Sequence, residues 1–267
     1  MSASTHRDVL KVHRREVRVG PRVFQVLTLR AATRVRFSSN YFHDTHHILT
    51  GPAGVRLLAQ LFWALSFQRV PHTLFVIDGE HLVPTPFEAD PALPIAIVPE
   101  ALTHVDDATL RKVRARMPRA SDGTVRLTCF DLAGHAEHWR WRSFFDSEPH
   151  LKRERMSERG GFRCYTAPPE VLRAQAKTLY SMGTYGGSGY HYLAADGPWS
   201  RAPEGEVQVF DAFDDMCASA MVARSEARPS GRLASESERS AIYGRADNAR
   251  ARRQRARALR RTEEGAP

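Results

Sequence analysis

The feature that most constrains the fold is the recurrence of paired short apolar runs separated by turn-forming residues. The strongest case is TLFVIDGEHLVP at residues 73–84, where Asp78-Gly79 lies between two apolar runs. This dipeptide favours a two-residue type I′ turn, in which both turn residues have positive φ. In residues 16–30 two apolar runs flank Gly-Pro, and in residues 124–145 two such runs flank DLAGHAE. These segments predict three β-hairpins.

Helical patterns lie between the predicted hairpins. From Pro52 to Phe67 the apolar residues follow helical spacing and cover most of the circumference, which predicts a buried central helix. Residues 105–118 predict a basic helix that ends at a proline, and residues 167–183 begin with prolines and end with glycine, as helices often do. Further short strands are predicted at 33–37, 93–99 and 206–210.

Hairpins interspersed with helices predict an α+β fold with a mixed or mostly antiparallel sheet. A doubly wound parallel sheet would instead show single strands that alternate regularly with helices. No internal repeat is visible in the sequence. We therefore expect one α+β domain, packed by several helices.

The net charge of +9 is concentrated at the C-terminal end of the chain. Residues 224–267 contain 12 arginines, no lysine and six acidic residues, and their only aromatic residue is Tyr243. A segment with this composition has few apolar side chains to bury. We expect a globular domain at 1–223 and a disordered or only transiently helical arginine-rich tail at 224–267.

Three features favour a cytoplasmic protein without membrane segments. The three cysteines lie far apart and form no Cys-x-x-Cys pair, which argues against a disulfide framework or a cysteine-rich zinc ribbon. The first residues contain no apolar stretch of the kind that a signal peptide needs. The most apolar run, at 57–67, is shorter than the about 20 residues that span a bilayer.

A cluster of histidines suggests a metal site. His43, Asp44 and His47 occur in HDTHH, and on a helix the two histidines at i and i+4 share one face. In zinc peptidases with this spacing, the acidic residue after the first histidine is the general base. Here that residue is aspartate, and the segment ends at Gly51-Pro52, which leaves room for only a short helix. A polar turn with solvated histidines explains the same residues, and we expect no bound metal.

A second candidate is a small-ligand site. Thr50, Gly51 and Gly54 precede the predicted central helix, where free backbone N–H groups could bind an anion. The segment lacks the Gly-Lys-Ser/Thr of a P-loop and the spacing of a dinucleotide fingerprint, so no cofactor is expected. The glycine-rich segment 183–192 contains Tyr185 and Tyr190 and is expected to be a flexible loop, either a ligand cover or a plain connector.

A third candidate is a nucleic-acid interface. Residues 245–261 contain eight arginines and one acidic residue, a run that attracts phosphate polyanions without reading sequence. The tail residues expected to make these contacts are Arg250, Arg252, Arg253, Arg255, Arg257, Arg260 and Arg261. A weaker candidate is the segment HWRWRSFF, in which a strand would place Trp139 and Trp141 on one face and Arg140 and Arg142 on the other.

The expectation that follows is a non-catalytic or accessory binding protein. Its basic tail would contact nucleic acid or another acidic partner. The alternatives are a metal-dependent hydrolase built on the histidine cluster and a small-ligand domain that uses the 50–54 turn and the 183–192 segment. No residue pattern names a reaction, so whether the protein is an enzyme stays open at the level of sequence.

Overall fold

The computed structural model describes residues 9–137, 153–185, 187–194, 204–228 and 233–264. The strands are β1 Val9–Val19, β2 Arg22–Thr28, β3 Phe37–Phe42, β4 Thr45–Thr50, β5 Thr73–Ile77, β6 Ile95–Pro99, β7 Gly123–Thr128, β8 Arg155–Arg159, β9 Phe162–Ala167, β10 Gly189–Leu193 and β11 Gly205–Val209. The helices are α1 Pro52–Ser66, α2 Asp107–Arg116, α3 Leu132–Glu137, α4 Pro169–Tyr185, α5 Phe213–Ala227 and α6 Glu236–Glu264. The fold is α+β, as the hairpin pattern predicted.

The strands form two mixed sheets. The large sheet has seven strands in the order β7-β1-β2-β5-β6-β9-β8, and the small sheet has four in the order β10-β11-β4-β3. Most neighbours are antiparallel, and the parallel pairs are β2 with β5, β6 with β9, and β4 with β11. The chain folds into two compact units, the first comprising residues 1–82 and 93–211 and the second residues 83–92 and 212–267. Both sheets belong to the first unit.

Helices α1 and α4 pack against each other in the main core of the first unit. The apolar stripe of α1 is almost wholly buried, with Leu58, Leu61 and Phe62 at 0% exposure. The helices approach closely at Gly183, where an added Cβ would lie 2.9 Å from Cγ1 of Val55. One face of each sheet contributes to the same core. The opposite face of the large sheet packs on α2 in a second apolar cluster.

The first unit contains an internal repeat of a hairpin, a helix and a second pair of strands. The first copy is β3-β4-α1-β5-β6 and the second is β8-β9-α4-β10-β11. The equivalent strands are β3 and β8, β4 and β9, β5 and β10, and β6 and β11. Part of the large sheet has the order β5-β6-β9-β8, and replacing each strand by its equivalent gives β10-β11-β4-β3, which is the order of the small sheet. The parallel registers also agree, because Ile95 pairs with Arg163 as Gly205 pairs with His46.

Details of the two copies match residue by residue. Each helix begins two residues after its strand, at Pro52 and at Pro169. Each hairpin turn contains two residues with positive φ, which are His43-Asp44 in the first copy and Gly160-Gly161 in the second. Few side chains are shared between equivalent positions, so the repeat is a property of the backbone that the sequence did not reveal.

A buried carboxylate links several segments of the second unit. Asp90, which is 6% exposed, accepts hydrogen bonds from Nη1 of Arg224 at 2.5 Å, from the backbone N of Ala234 at 3.0 Å and from Nη2 of Arg239 at 3.3 Å. A small apolar cluster that includes Ile242 surrounds these contacts. Some arginines of the basic segment therefore have a structural role.

The predicted type I′ hairpin at Asp78-Gly79 is wrong. Gly79 has φ +57°, but Asp78 has φ −146°, whereas a type I′ turn needs positive φ at both residues. The chain instead enters a 3₁₀ turn at Gly79–His81, and Leu82 forms a parallel bridge with Phe37. The antiparallel partner of β5 is β6, which begins only at Ile95.

Two other local predictions need correction. The predicted hairpin at 124–145 has its first strand, β7, but its turn residues form helix α3, whose Leu132 is buried in the main core. Its expected second strand lies outside the described residues. The strand predicted at 33–37 begins only at Phe37. The predicted hairpin at 16–30 and the predicted helices at 52–67, 105–118 and 167–183 are present as β1-β2, α1, α2 and α4.

The predicted boundary of the basic tail, at residue 224, falls inside helix α5. Residues 236–264 form helix α6, and the disorder expected of the tail stays a prediction. Among the described residues, no helix combines the length and the apolar character needed to cross a membrane.

Candidate functional site

The histidine cluster lies on a β-hairpin rather than on a helix. His43 and Asp44 are the two turn residues between β3 and β4, with φ of 48° and 59°. His47 lies within β4, where its Nδ1 is 2.8 Å from Oδ1 of Asn40 and its Nε2 is 3.6 Å from Oε2 of Glu206. The helical face that would bring His43 and His47 together is absent from this hairpin. Nowhere in the described part of the chain do three or more His, Cys, Asp or Glu side chains form a group that could hold a metal ion.

His46 has a different environment from its neighbours. Its side chain faces the other side of the small sheet, where Nδ1 contacts Nη1 of Arg163. Burial, with smaller contributions from Arg163 and His47, lowers the pKa of His46 to about 4. His46 and Arg163 are equivalent residues of the two repeats, so this contact joins the two copies. We regard it as part of the fold.

The 50–54 turn is closed by its own hydrogen bonds. The Thr50 hydroxyl donates to the carbonyl of Arg36 at 2.7 Å. The backbone N–H groups of Gly54 and Val55 both donate to the carbonyl of Gly51, at 2.9 and 3.1 Å. The Thr50 side chain occupies the position that a Cβ on Gly54 would need. The amides of Gly54 and Val55 are therefore already paired within the turn.

The segment expected to be a flexible loop at 183–192 is mostly regular. Helix α4 extends to Tyr185, and β10 begins at Gly189. Tyr190 is exposed on β10, with its ring 5.3 Å from that of Tyr192. The side chain of Tyr185 is outside the described part of the structure. Whether this segment covers a ligand stays a prediction.

A buried polar network was missed by the sequence reasoning. Glu154, which is 1% exposed, accepts hydrogen bonds at Oε1 from the Tyr165 hydroxyl and from Nε2 of Gln175, the latter at 2.7 Å. The other end of the Gln175 amide lies 2.6 Å from Nε2 of His191. Four polar side chains from β9, β10, α4 and the residue before β8 are thus linked inside an apolar core. No local pattern marks them, because their positions converge only in the folded chain.

Burial moves the pKa values of the network in opposite directions. Desolvation of the carboxylate raises the pKa of Glu154 to about 7, although the hydrogen bonds from Tyr165 and Gln175 act the other way. Desolvation lowers the pKa of His191 to about 4. Both shifts favour the neutral form, as expected for ionisable groups in an apolar environment. Burial of Glu154, Tyr165 and Gln175 to 1% exposure or less keeps these three side chains out of reach of a substrate.

Helix α6 carries an exposed cationic face, which we define as Arg245, Arg252 and Arg255. These arginines, with Asn248 between them, follow the i, i+3, i+7, i+10 spacing of one helix face. They line a shallow groove of ≈ 380 Å³ together with Ala251 and one acidic residue, Glu226 of helix α5. The other side of α6 is buried at Ile242, Ala246 and Ala249. The cationic face is thus held outward by apolar packing behind it.

The remaining basic candidates are only partly described. Arg250 is half-buried. The backbone of α6 includes Arg253, Arg257, Arg260 and Arg261, but their side chains lie outside the described part of the structure. The segment that contains Trp139, Arg140, Trp141 and Arg142 lies wholly outside the described residues.

Comparisons with known protein families, curated proteins and solved structures find no match to the chain.

Proposed function

We propose that the protein is a cytoplasmic accessory binding protein that contacts the phosphate backbone of nucleic acids through the cationic face of α6. The observation that carries this proposal is the segregation of α6 into a buried apolar side and an exposed arginine side. A helix whose arginines only kept the chain in solution would not need them aligned along one groove.

Arginine is suited to a phosphate partner. Its planar guanidinium presents paired donors that match phosphate oxygens, and it stays charged at every physiological pH. Arg245 and Arg255 are ten residues apart, so the cationic face extends about 15 Å along the helix axis. Double-stranded DNA carries one charge per about 1.7 Å of its axis, so several phosphates lie within reach of this face. These features favour nucleic acid over an acidic protein.

The proposed compartment rests on the cysteines. Cys129, Cys164 and Cys217 are all buried, and none of them forms a disulfide within the described residues. An oxidising compartment would favour paired cysteines in a protein of this size. A catalytic role has no comparable support, because the described residues contain no metal-ligand group and the Glu154 carboxylate is buried.

The test is a salt titration of binding to a fluorescent DNA duplex of arbitrary sequence. The logarithm of the association constant should fall linearly with the logarithm of salt concentration, with a slope of about −0.9 for each phosphate neutralised. Changing Arg245, Arg252 and Arg255 together to glutamine should flatten the slope by about two to three units and weaken binding, because up to three contacts are lost.

The matched control removes three exposed arginines from the first unit. Arg18, Arg69 and Arg126 are exposed, and their replacement by glutamine changes the net charge by the same amount. We expect this control to keep the slope of the parent protein. Equal losses in both variants would mean that only net charge matters, and an unchanged slope in the α6 variant would refute the proposal. Binding to an acidic protein with no binding to DNA or RNA would also refute it.

A further inference from the structure

A pocket lies where β5 ends, on the face of the large sheet that packs against α2. Its volume is ≈ 380 Å³, which is within the usual range for small-molecule sites. The ionisable side chains that line it are His13, Arg15, Asp78, Glu80, His81 and Arg119. We call it the strand-end pocket. Its residues come from β1, from the 3₁₀ turn after β5 and from the chain after α2, so only the folded sheet brings them together.

Three unsatisfied polar atoms belong to side chains that line this pocket. Among the described residues, Nδ1 of His13, Nε of Arg15 and Nε2 of His81 are buried without a hydrogen-bond partner. His81 is only 5% exposed, and its other ring nitrogen is 3.3 Å from the carbonyl of Val35. Buried polar groups in native proteins are nearly always paired, so three such atoms in one pocket indicate a missing partner.

The pocket is lined by both cationic and anionic side chains. Arg15 is held in place by contacts of Nη1 with the Thr28 hydroxyl and of Nη2 with the carbonyl of Arg119 at 3.3 Å, which leaves Nε for another acceptor. Asp78 and Glu80 supply carboxylates from the 3₁₀ turn. Burial raises the pKa of Asp78, although Arg15 and His81 act in the opposite direction. A cation beside Asp78 would offset the cost of burying its charge.

We propose that the strand-end pocket binds a small zwitterion with the chemistry of a free α-amino acid. The ligand carboxylate pairs with Arg15 and Arg119, and its ammonium group pairs with Asp78 and Glu80. Each charged group of the pocket then gains an opposite partner, and the unpaired atom of Arg15 gains an acceptor. A ligand with only one charge leaves either the arginines or the carboxylates of the pocket without a partner, which disfavours simple anions and simple amines.

The experiment is isothermal titration calorimetry of the full-length protein with each of the standard L-α-amino acids. Acetate and methylammonium serve as probes for the two halves of the zwitterion. We expect one or a few amino acids to bind, and both half-molecules to bind about tenfold more weakly or not at all, because each lacks one charge-assisted contact. Arg15→Gln and Asp78→Asn should each raise the Kd for the amino acid by about tenfold.

Two further variants keep the result interpretable if the partly buried residues are needed for folding. Glu80→Gln changes an exposed residue of the pocket and should raise the Kd several-fold in a folded protein. Arg18→Gln, also exposed but on β1 outside the pocket, should leave the Kd unchanged. The proposal is overturned if no amino acid binds at about 10 mM, a concentration at which even weak ligands stabilise a protein measurably. It is also overturned if Glu80→Gln binds like the parent, or if acetate binds as tightly as the amino acid.

Discussion

The opposed pKa shifts of Glu154 and His191 predict that two single substitutions change the pH dependence of stability in opposite directions. Folding raises the pKa of Glu154 from 4.5 to about 7, so between these values the native state holds a proton that the unfolded state has lost. Stability from this group is present at low pH and is lost as pH rises. Folding lowers the pKa of His191 from 6.5 to about 4, so stability from this group is present above pH 6.5 and is lost as pH falls.

The magnitude follows from proton linkage. Each proton bound by only one of the two states changes the free energy of unfolding by about 1.4 kcal/mol per pH unit. Between pH 4.5 and 6.5 the two contributions have similar size and opposite sign, so they nearly cancel in the parent protein. Each amounts to about 3 kcal/mol over its full range. The cancellation hides both groups unless one of them is removed.

The perturbations are Glu154→Gln and, separately, His191→Gln. Relative to the parent, Glu154→Gln should gain about 3 kcal/mol of stability as pH rises from 4.5 to 7, because the loss caused by Glu154 is gone. His191→Gln should lose about 3 kcal/mol of stability relative to the parent as pH rises from 4 to 6.5, because the gain caused by His191 is gone. Urea unfolding, followed by circular dichroism at closely spaced pH values, measures both differences.

The control is Glu158→Gln, which removes a carboxylate from β8 whose side chain is 57% exposed. Its stability difference from the parent should vary little with pH over the same range. If the curve of Glu154→Gln runs parallel to that of the parent, Glu154 is ionised in the native state at neutral pH. The reasoning from burial would then be refuted for this network.

Two structural predictions concern the turns and contacts of the repeat. Gly183→Ala should destabilise the protein by about 1–3 kcal/mol in urea unfolding, because the added Cβ would crowd Arg56, Val55 and the carbonyl of Pro52 where α1 and α4 meet. Replacing His43 by Asn and Asp44 by Gly should raise stability by about 1 kcal/mol, because Asn-Gly suits a two-residue turn with positive φ at both positions. Loss of a metal-dependent activity in this double variant would contradict the assignment of His43 and Asp44 to the turn alone.

Elements with strong local patterns were predictable from the sequence. The apolar stripe of α1 and the proline and glycine at the ends of α4 are local signals that the folded chain preserves. The same holds for the β1-β2 hairpin, whose turn contains Gly20 with φ +60°. These segments form because periodicity and turn preference agree with the tertiary packing.

Asp78-Gly79 shows where local preference is overruled. The dipeptide suits a type I′ turn, but the following residues are drawn toward β3 by the bridge between Leu82 and Phe37. The strand that pairs with β5 lies much later in the chain. Whether a hairpin forms depends on the pairing of both strands as well as on the turn residues. The sequence around Asp78-Gly79 shows the turn preference but not which strand pairs with β5.

The candidate sites also differ in how far they could be predicted from the sequence. The cationic face of α6 was partly predictable, because the density of arginines is a property of the sequence alone. The strand-end pocket was not, since Arg15 and Asp78 meet only after β1, β2 and β5 align in the large sheet. The local sequence pattern places Asp78 in a turn, which explains its presence without any ligand.

The internal repeat allows the Glu154 network to be compared with the residues at the equivalent positions of the first copy. The alignment of the two copies gives each residue of the network an equivalent in the first copy. The equivalent pairs are Glu154 with Phe37, Tyr165 with Ile48, Gln175 with Leu58, and His191 with Phe75. All four residues of the first copy are apolar and 0% exposed. The same backbone therefore packs well with an apolar cluster, and the polar network of the second copy is not needed to build it. Buried polar groups are commonly no more stabilising than apolar ones of similar size. The backbone of the repeat thus tolerates the polar network but does not require it.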